Sequence, residues 1–302
     1  MITQDILMIR PVAFTYNAQT AVNNSFQQQG AAEAAQEKAL AEFDTFVSLL
    51  RSKGVRVHVV NDTLEPHTPD AIFPNNWISF HSDGTVFLYP MYAENRRAER
   101  KPTVLEYIRK TFTVRQQQDL SYYEQQALFL EGTGSMVLDR DAKIAYACLS
   151  PRTNATVLQQ FCDATGYTPC IFTSVDAQGA PIYHTNVVMC VAEKQVIICI
   201  DSIPDAAEKE RVIATIEQSG KALVTISFEQ LAQFAGNMLQ IKGNNELPLL
   251  VMSSTAYKSL HTTQIETLSK YSELVHSPLN TIETNGGGSA RCMMAEVFLT
   301  PQ

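Results

Sequence analysis

"AAEAAQEKALAEFDTFVSLLRSKGVRVHVV", residues 31–60, sets two structural periods back to back. Ala35, Ala39, Phe43, Phe46, Val47 and Leu50 recur every three or four residues, which predicts a helix over 31–53 with one apolar face. Gly54 follows where a helix-ending glycine is expected, since glycine takes the left-handed backbone there without strain. "VRVHVV" (55–60) is rich in β-branched residues and predicts a strand.

The pairing recurs. Helices are predicted at "PTVLEYIRKTF" (102–112) with Pro102 in the first turn, and at "TNATVLQQFCDATG" (153–166) ending on Gly166. Two more are "DAAEKERVIATIEQSG" (205–220), between Asp205 and Gly220, and "TTQIETLSKY" (262–271). Strand-like runs lie between them: "TVFLYP", "SMVLD", "KIAYACL", "NVVMCV", "QVIICI" and "LPLLVMS". The helices start about fifty to seventy residues apart, a spacing that suggests repeated supersecondary units. A doubly wound α/β sheet would give similar alternation. No low-complexity stretch or linker divides the chain, so one domain over 1–302 is expected.

Composition narrows the function. The chain has 302 residues, 45% hydrophobic, enough for a sizeable core. A net charge of −8 without a basic run gives nucleic-acid binding no electrostatic support. No apolar run has membrane-spanning length, and "MITQDILMIRP" carries acid where a signal peptide needs base. The cysteines at 148, 162, 170, 190, 199 and 292 form no CxxC pair, and the first, third, fourth and fifth adjoin strand-like runs. That suits reduced, buried thiols in a cytoplasmic protein.

"ETNGGGSARCMMAEVF" (283–298) places three glycines and Arg291 before Cys292. Cys292 is either a small hydrophobe opening the last strand or a nucleophile, which would need a base. Of six histidines, His58 lies in a strand as a surface or edge residue, and His67, His81, His261 and His276 have polar or loop settings. His184, in "APIYHTNVVMC", stands at a loop-to-strand junction able to present a side chain to a cleft. Glu131, in "FLEGTGSMVLD", follows an apolar run, where a carboxylate is costly unless paired. "TPDAIFPNNWISF" gathers Asp70, Phe73, Asn75, Asn76 and Trp77 behind two prolines. "ENRRAERK" (94–101) reads as a solvated charge run, and "LSPRTN" (149–154) as a helix start capped by Ser or Thr. Each holds an arginine suited to clamping a carboxylate. Each segment also has a plain structural reading. No His, Cys or Asp set has metal-ligand spacing.

Taken in order from "MIRP" to Cys292, these segments resemble the guanidino-group-modifying enzymes: arginine deiminases, dimethylarginine dimethylaminohydrolases and amidinotransferases. They are most similar to a bacterial branch labelled amidinotransferase or citrulline-utilisation hydrolase. The resemblance implies a five-bladed α/β propeller (pentein) of pseudo-symmetric ββαβ modules. It implies Cys292 as nucleophile, His184 as general acid/base and Glu131 as the carboxylate orienting it. Asp70 and Phe73 match residues lining the guanidino pocket, Arg96 and Arg152 match arginines holding the α-carboxylate, and Asn237 in "AGNMLQ" matches a structural position. Relatives usually carry an acid at Asn76 and often at Asn75; amides there favour a neutral ureido group, hence citrulline. Relatives with "GGD" after the orienting acid have a second Asp where this chain has "GTGS". The expected activity is hydrolysis of a ureido or guanidino carbon in a small amino acid, without cofactor, metal, nucleic acid or membrane. A homodimer is compatible with it. The rivals are a deiminase or dimethylaminohydrolase, an amidinotransferase, and a catalytically silent amino-acid sensor on the same fold.

Overall fold

In the computed structural model, which describes residues 1–30, 34–245 and 247–302, β1 (Asp5–Arg10) and β2 (Arg56–Asn61) run parallel. A parallel pair needs a crossover, and the helix Ala35–Ser52 supplies it. Its apolar stripe buries Phe43 and Phe46 completely against Ile6, Met8 and Val57, worth about 1.5–3 kcal/mol for each ring.

The next four sheets repeat one plan: a short inner strand antiparallel to a middle strand, which is parallel to an outer strand reached through a helix. β3 (Ile78–Phe80), β4 (Thr85–Leu88) and β5 (Gln116–Asp119) use the helix Pro102–Thr111. β6 (Val137–Asp139), β7 (Ile144–Cys148) and β8 (Thr168–Phe172) use Ala155–Thr165. β9 (Met189–Val191), β10 (Gln195–Ile198) and β11 (Ala222–Thr225) use Ala206–Gln218. β12 (Leu239–Ile241), β13 (Leu249–Ser253) and β14 (Glu273–Ser277) use the pair Ser254–Ser259 and Thr262–Ser269. Finally β15 (Ala295–Val297) gives the first sheet its inner strand, pairing Asp5 with Val297 and Leu7 with Ala295. Inner strands adjoin across sheets, β15 against β3, β6 against β9, and β9 against β12. The five ββαβ modules form an α/β propeller whose first blade joins residues nearly the whole chain apart. Among the described residues no helix is long and apolar enough to cross a membrane.

Gly54, Gly166 and Gly220 take φ of +86°, +72° and +74° beyond their helices, as the sequence predicts. The first helix starts at Ala35; residues 31–33 of the expected span lie outside the described residues. Two expected strands are shortened from their front ends. Thr185–Val188 and Gly132–Ser135 are single helical turns, so "NVVMCV" and "SMVLD" become strand only at Met189 and Val137. The helix after "LSPRTN" is capped by Asn154, whose side chain accepts from the Thr156 N–H, and not by Ser or Thr.

Candidate active site

Each blade contributes the residues that lead into its inner strand, and these segments meet at one end of the propeller. They are the 3-10 turn Pro74–Asn76 before β3, Glu131 with Gly132–Ser135 before β6, His184 with Thr185–Val188 before β9, residues 234–237 before β12, and residues 286–292 before β15. The helix Asn280–Gly286 ends in Gly287 at φ +62°, and Cys292 lies in the turn that follows, ahead of the last strand.

A small cavity is bounded by Asp70, Phe73, Asn76, Arg96, Arg152, Tyr183, His184, Gly286, Gly288 and Cys292, with Thr20 and Asn24. Seven of the nine residues expected at the site therefore line one space, while Glu131 and Asn75 stand directly behind it. The glycines are required: a Cβ on Gly286 would lie 2.8 Å from the Phe73 ring, and one on Gly134 would lie 2.4 Å from Asn76 Nδ2 and 2.8 Å from His184 Nδ1.

His184 Nε2 lies 2.7 Å from Glu131 Oε2, and both side chains are buried. Glu131 Oε1 accepts from the Tyr92 N–H at 2.9 Å, while Arg152 Nη1 and Arg96 Nη1 stand 3.6 and 4.0 Å from Oε2. Burial opposes ionisation of Glu131, but the Arg152 guanidinium, the His184 hydrogen bond and Arg96 together hold its carboxyl below the usual range. Burial depresses the His184 imidazole, Glu131 partly offsets this, and the two arginines add to it. The pair thus rests as carboxylate and neutral imidazole, with Nε2–H donating. Cys292 Sγ receives the Asn186 and Asn237 side-chain amides, each at 3.3 Å.

Asp70 accepts from Asn17 Nδ2 at 2.8 Å and Thr20 Oγ1 at 3.2 Å through Oδ2, leaving Oδ1 without a partner among the described residues. Burial raises its carboxyl above the usual range, against the pull of Arg96. Asn76 Nδ2 donates to Asn75 Oδ1 at 3.1 Å and its Oδ1 accepts from Arg96 at 2.8 Å. Arg152 gives Nε and Nη2 to Asn23 Oδ1 and Nη2 to Thr20 O, while its Nη1 makes no hydrogen bond among the described residues.

"ENRRAERK" is not the expected solvated run. Arg96 forks onto Glu99 at 2.8 and 2.9 Å, and Arg96, Glu99 and Lys101 are all buried. Lys101 in turn pairs with Asp62. Opposite charges spaced three apart can be withdrawn from water together, which composition alone does not reveal. His58 sits on the edge strand β2 as expected, half-buried against Asp5 and Tyr107.

Sequence reasoning missed the cover of the cavity. Asn17, Thr20, Asn23, Asn24 and Gln27 come from "NAQTAVNNSFQ" (17–27) and bond Asp70, Arg152, Gly287 and Asn285. A run of amides and hydroxyls without charge was the available signal. Asn186 was also missed, although it stands two residues after His184.

A family model described as "N,N dimethylarginine dimethylhydrolase, eukaryotic" matches residues 10–299. No curated protein sequence matches the chain. Among solved structures, the N-terminal domain of ArgZ covalently bound to a reaction intermediate aligns at TM-score 0.77 and 17% identity, covering 97% of both chains. ArgZ itself, an arginine dihydrolase from the ornithine-ammonia cycle in cyanobacteria, aligns at 0.76 and 18% over 97% of this chain, which spans 40% of ArgZ. A dimethylarginine dimethylaminohydrolase in adduct with S-methyl-L-thiocitrulline aligns at 0.66 and 13%, covering 98% of this chain and all of the other. At these identities the likeness shows the fold, a pentein propeller.

Proposed function

The chain belongs to the N,N-dimethylarginine dimethylhydrolase family, and from that premise we propose that it is a cysteine hydrolase of a ureido or guanidino carbon, with citrulline the favoured substrate. The observation that carries this reading is the convergence of Cys292 and the Glu131–His184 pair on one small cavity also lined by Asp70 and Arg152.

Cys292 attacks the planar carbon as a thiolate, its proton passing to neutral His184. The tetrahedral intermediate collapses as His184 protonates the departing δ-nitrogen, releasing ornithine and leaving a thiocarbamate on sulfur. His184 then takes a proton from water, which attacks the thiocarbamate; carbamate leaves and breaks down to ammonia and carbon dioxide. Glu131 orients the imidazole and stabilises its charged form. Arg152 Nη1, and the remaining N–H of Arg96 Nη1, serve the α-carboxylate, and Phe73 packs beside the reacting group. Asn75 and Asn76 stand near the reacting end as amides, which offer dipoles rather than charge. A neutral ureido group enters beside them at lower cost than a guanidinium.

Asp70 Oδ1 favours a second reading, because an unpartnered carboxylate oxygen in the cavity suits a guanidinium. Arginine or a methylated arginine would then be the substrate. The deciding experiment incubates the protein with citrulline, arginine, agmatine and dimethylarginine and assays ammonia with the amino-acid products. Ornithine from citrulline supports the first reading; turnover of an arginine derivative alone supports the second. Product analysis with an added acceptor amine tests for amidino transfer. Slow alkylation of Cys292 relative to the other five thiols would favour a silent sensor. We expect Cys292→Ala to abolish turnover while shifting Tm by only about 2 °C; retained turnover would sink the mechanism. The activity is assigned to one catalytic unit, 1–302, working in the cytoplasm without a cofactor, alone or as a homodimer.

A further inference from the structure

Four of the five segments that lead into inner strands carry a group with a role in the proposed reaction. The fifth, before β12, carries Asn237, which is completely buried. Its Oδ1 accepts the Arg291 N–H at 3.0 Å, fixing the turn that bears Cys292. Its Nδ2 reaches Cys292 Sγ at 3.3 Å and Asn186 O at 2.8 Å. Asn186 Nδ2 approaches the same sulfur, also at 3.3 Å. Two side-chain amides therefore point donors at one sulfur. A thiol is a weak acceptor and gains little from them, whereas a thiolate gains much.

The backbone that delivers Asn237 is held against its own preferences. Phe234 has φ +60°, a region bulky residues avoid and one kept where the surroundings impose it. A Cβ on Gly236 would stand 2.1 Å from Val187 O, so this turn is pressed onto the Thr185–Val188 turn. Only glycine permits that approach, and the approach is what lets Asn237 bridge the Asn186 carbonyl and the sulfur.

We propose that Asn237 is a positioning residue for the nucleophile: with Asn186 it forms a two-amide cradle that holds the Cys292 sulfur in place and favours its thiolate form. This rests on the reading of Cys292 as nucleophile. It gives a chemical role to a position that sequence reading treats as structural.

The test is the thiolate absorbance near 240 nm of the full-length protein without substrate, titrated by pH and referenced to Cys292→Ser. Burial pushes Cys148 and Cys190 up to about 12 and Cys162 to about 11, and raises Cys170 and Cys199; subtracting the Cys292→Ser titration removes what these five thiols contribute. Asn237→Asp keeps the acceptor for Arg291 but turns a carboxylate oxygen toward the sulfur. We expect it to raise the apparent thiol pKa by about two units, and Asn186→Ala by about one, with kcat falling far more than KM. Should the aspartate variant fail to fold, Asn237→Ser, which keeps a hydroxyl acceptor, is expected to give a shift of about one unit. A folded Asn237 variant with an unshifted titration overturns the inference. The titration needs no substrate, so that result leaves the hydrolase reading standing, whereas turnover in Cys292→Ala would remove the reading and leave the titration interpretable.

Discussion

Glu131 and His184 place an ionised carboxylate and a neutral imidazole in contact with both side chains buried, and this has a consequence for acid stability. The His184 imidazole is held below its ordinary 6.5 in the folded chain, first by burial, so the unfolded chain takes up its proton at higher pH. A depressed folded value means stability that is present above 6.5 and lost as pH falls below it. Glu131, also depressed, acts in the same sense, but only below its ordinary 4.5. Of this pair only the histidine acts between pH 7.5 and 5.0, and its own contribution falls by about 2 kcal/mol; buried His81, also depressed by burial, adds a loss of the same sign in wild type and variant alike. Scanning calorimetry at these two pH values is expected to show a larger fall in Tm for the wild type than for His184→Asn. Equal falls would mean that His184 is charged in the resting protein.

The single helical turns that open the inner strands border the candidate site, and they are what pattern reading resolves least well. The turn Gly132–Ser135 is too short to show a period, and its last residue, Ser135, reads as the start of the following strand. The long helices were legible because an eighteen-residue amphipathic span such as Ala35–Ser52 repeats its signal several times. β5 is "QQQD", four polar residues held by backbone pairing to β4 alone; an edge strand needs no apolar face, so nothing announced it. Cys292, His184 and Glu131 could be named from type and setting, but their meeting depends on five separate blades, which local sequence does not encode. The turn geometry gives its own prediction. Gly134→Ala keeps the backbone within ordinary φ yet drives a methyl into Asn76 and His184. Overpacking of this kind costs about 1–3 kcal/mol in stability, and displacement of the imidazole is expected to cut kcat/KM about a hundredfold. A variant with near-wild-type kcat/KM would show that His184 has room to shift.

At the scale of the whole molecule, the first blade is completed only by β15, which pairs with β1 across Leu7–Ala295 and Asp5–Val297. Blade-to-blade contacts run around a ring, so removing this strand opens the ring and exposes the buried inner edge of β1. Deleting residues 295–302 is expected to replace one sharp thermal transition, followed by circular dichroism, with a broad and weak one. A sharp transition near the wild-type Tm would mean that the first sheet stands on two strands.

The same closure governs when the protein becomes chemically competent. During ribosomal synthesis β1 emerges before the other fourteen strands named above and must wait, unpaired on one side, while four further blades are made. Cys292 leaves the ribosome just before β15, so the proposed nucleophile and the seal of the ring arrive together. A chain interrupted between His184 and Cys292 carries His184 and Glu131 but neither the sulfur nor the strand that closes the fold. On the proposed mechanism, reactivity is thereby confined to chains in which the ring has closed.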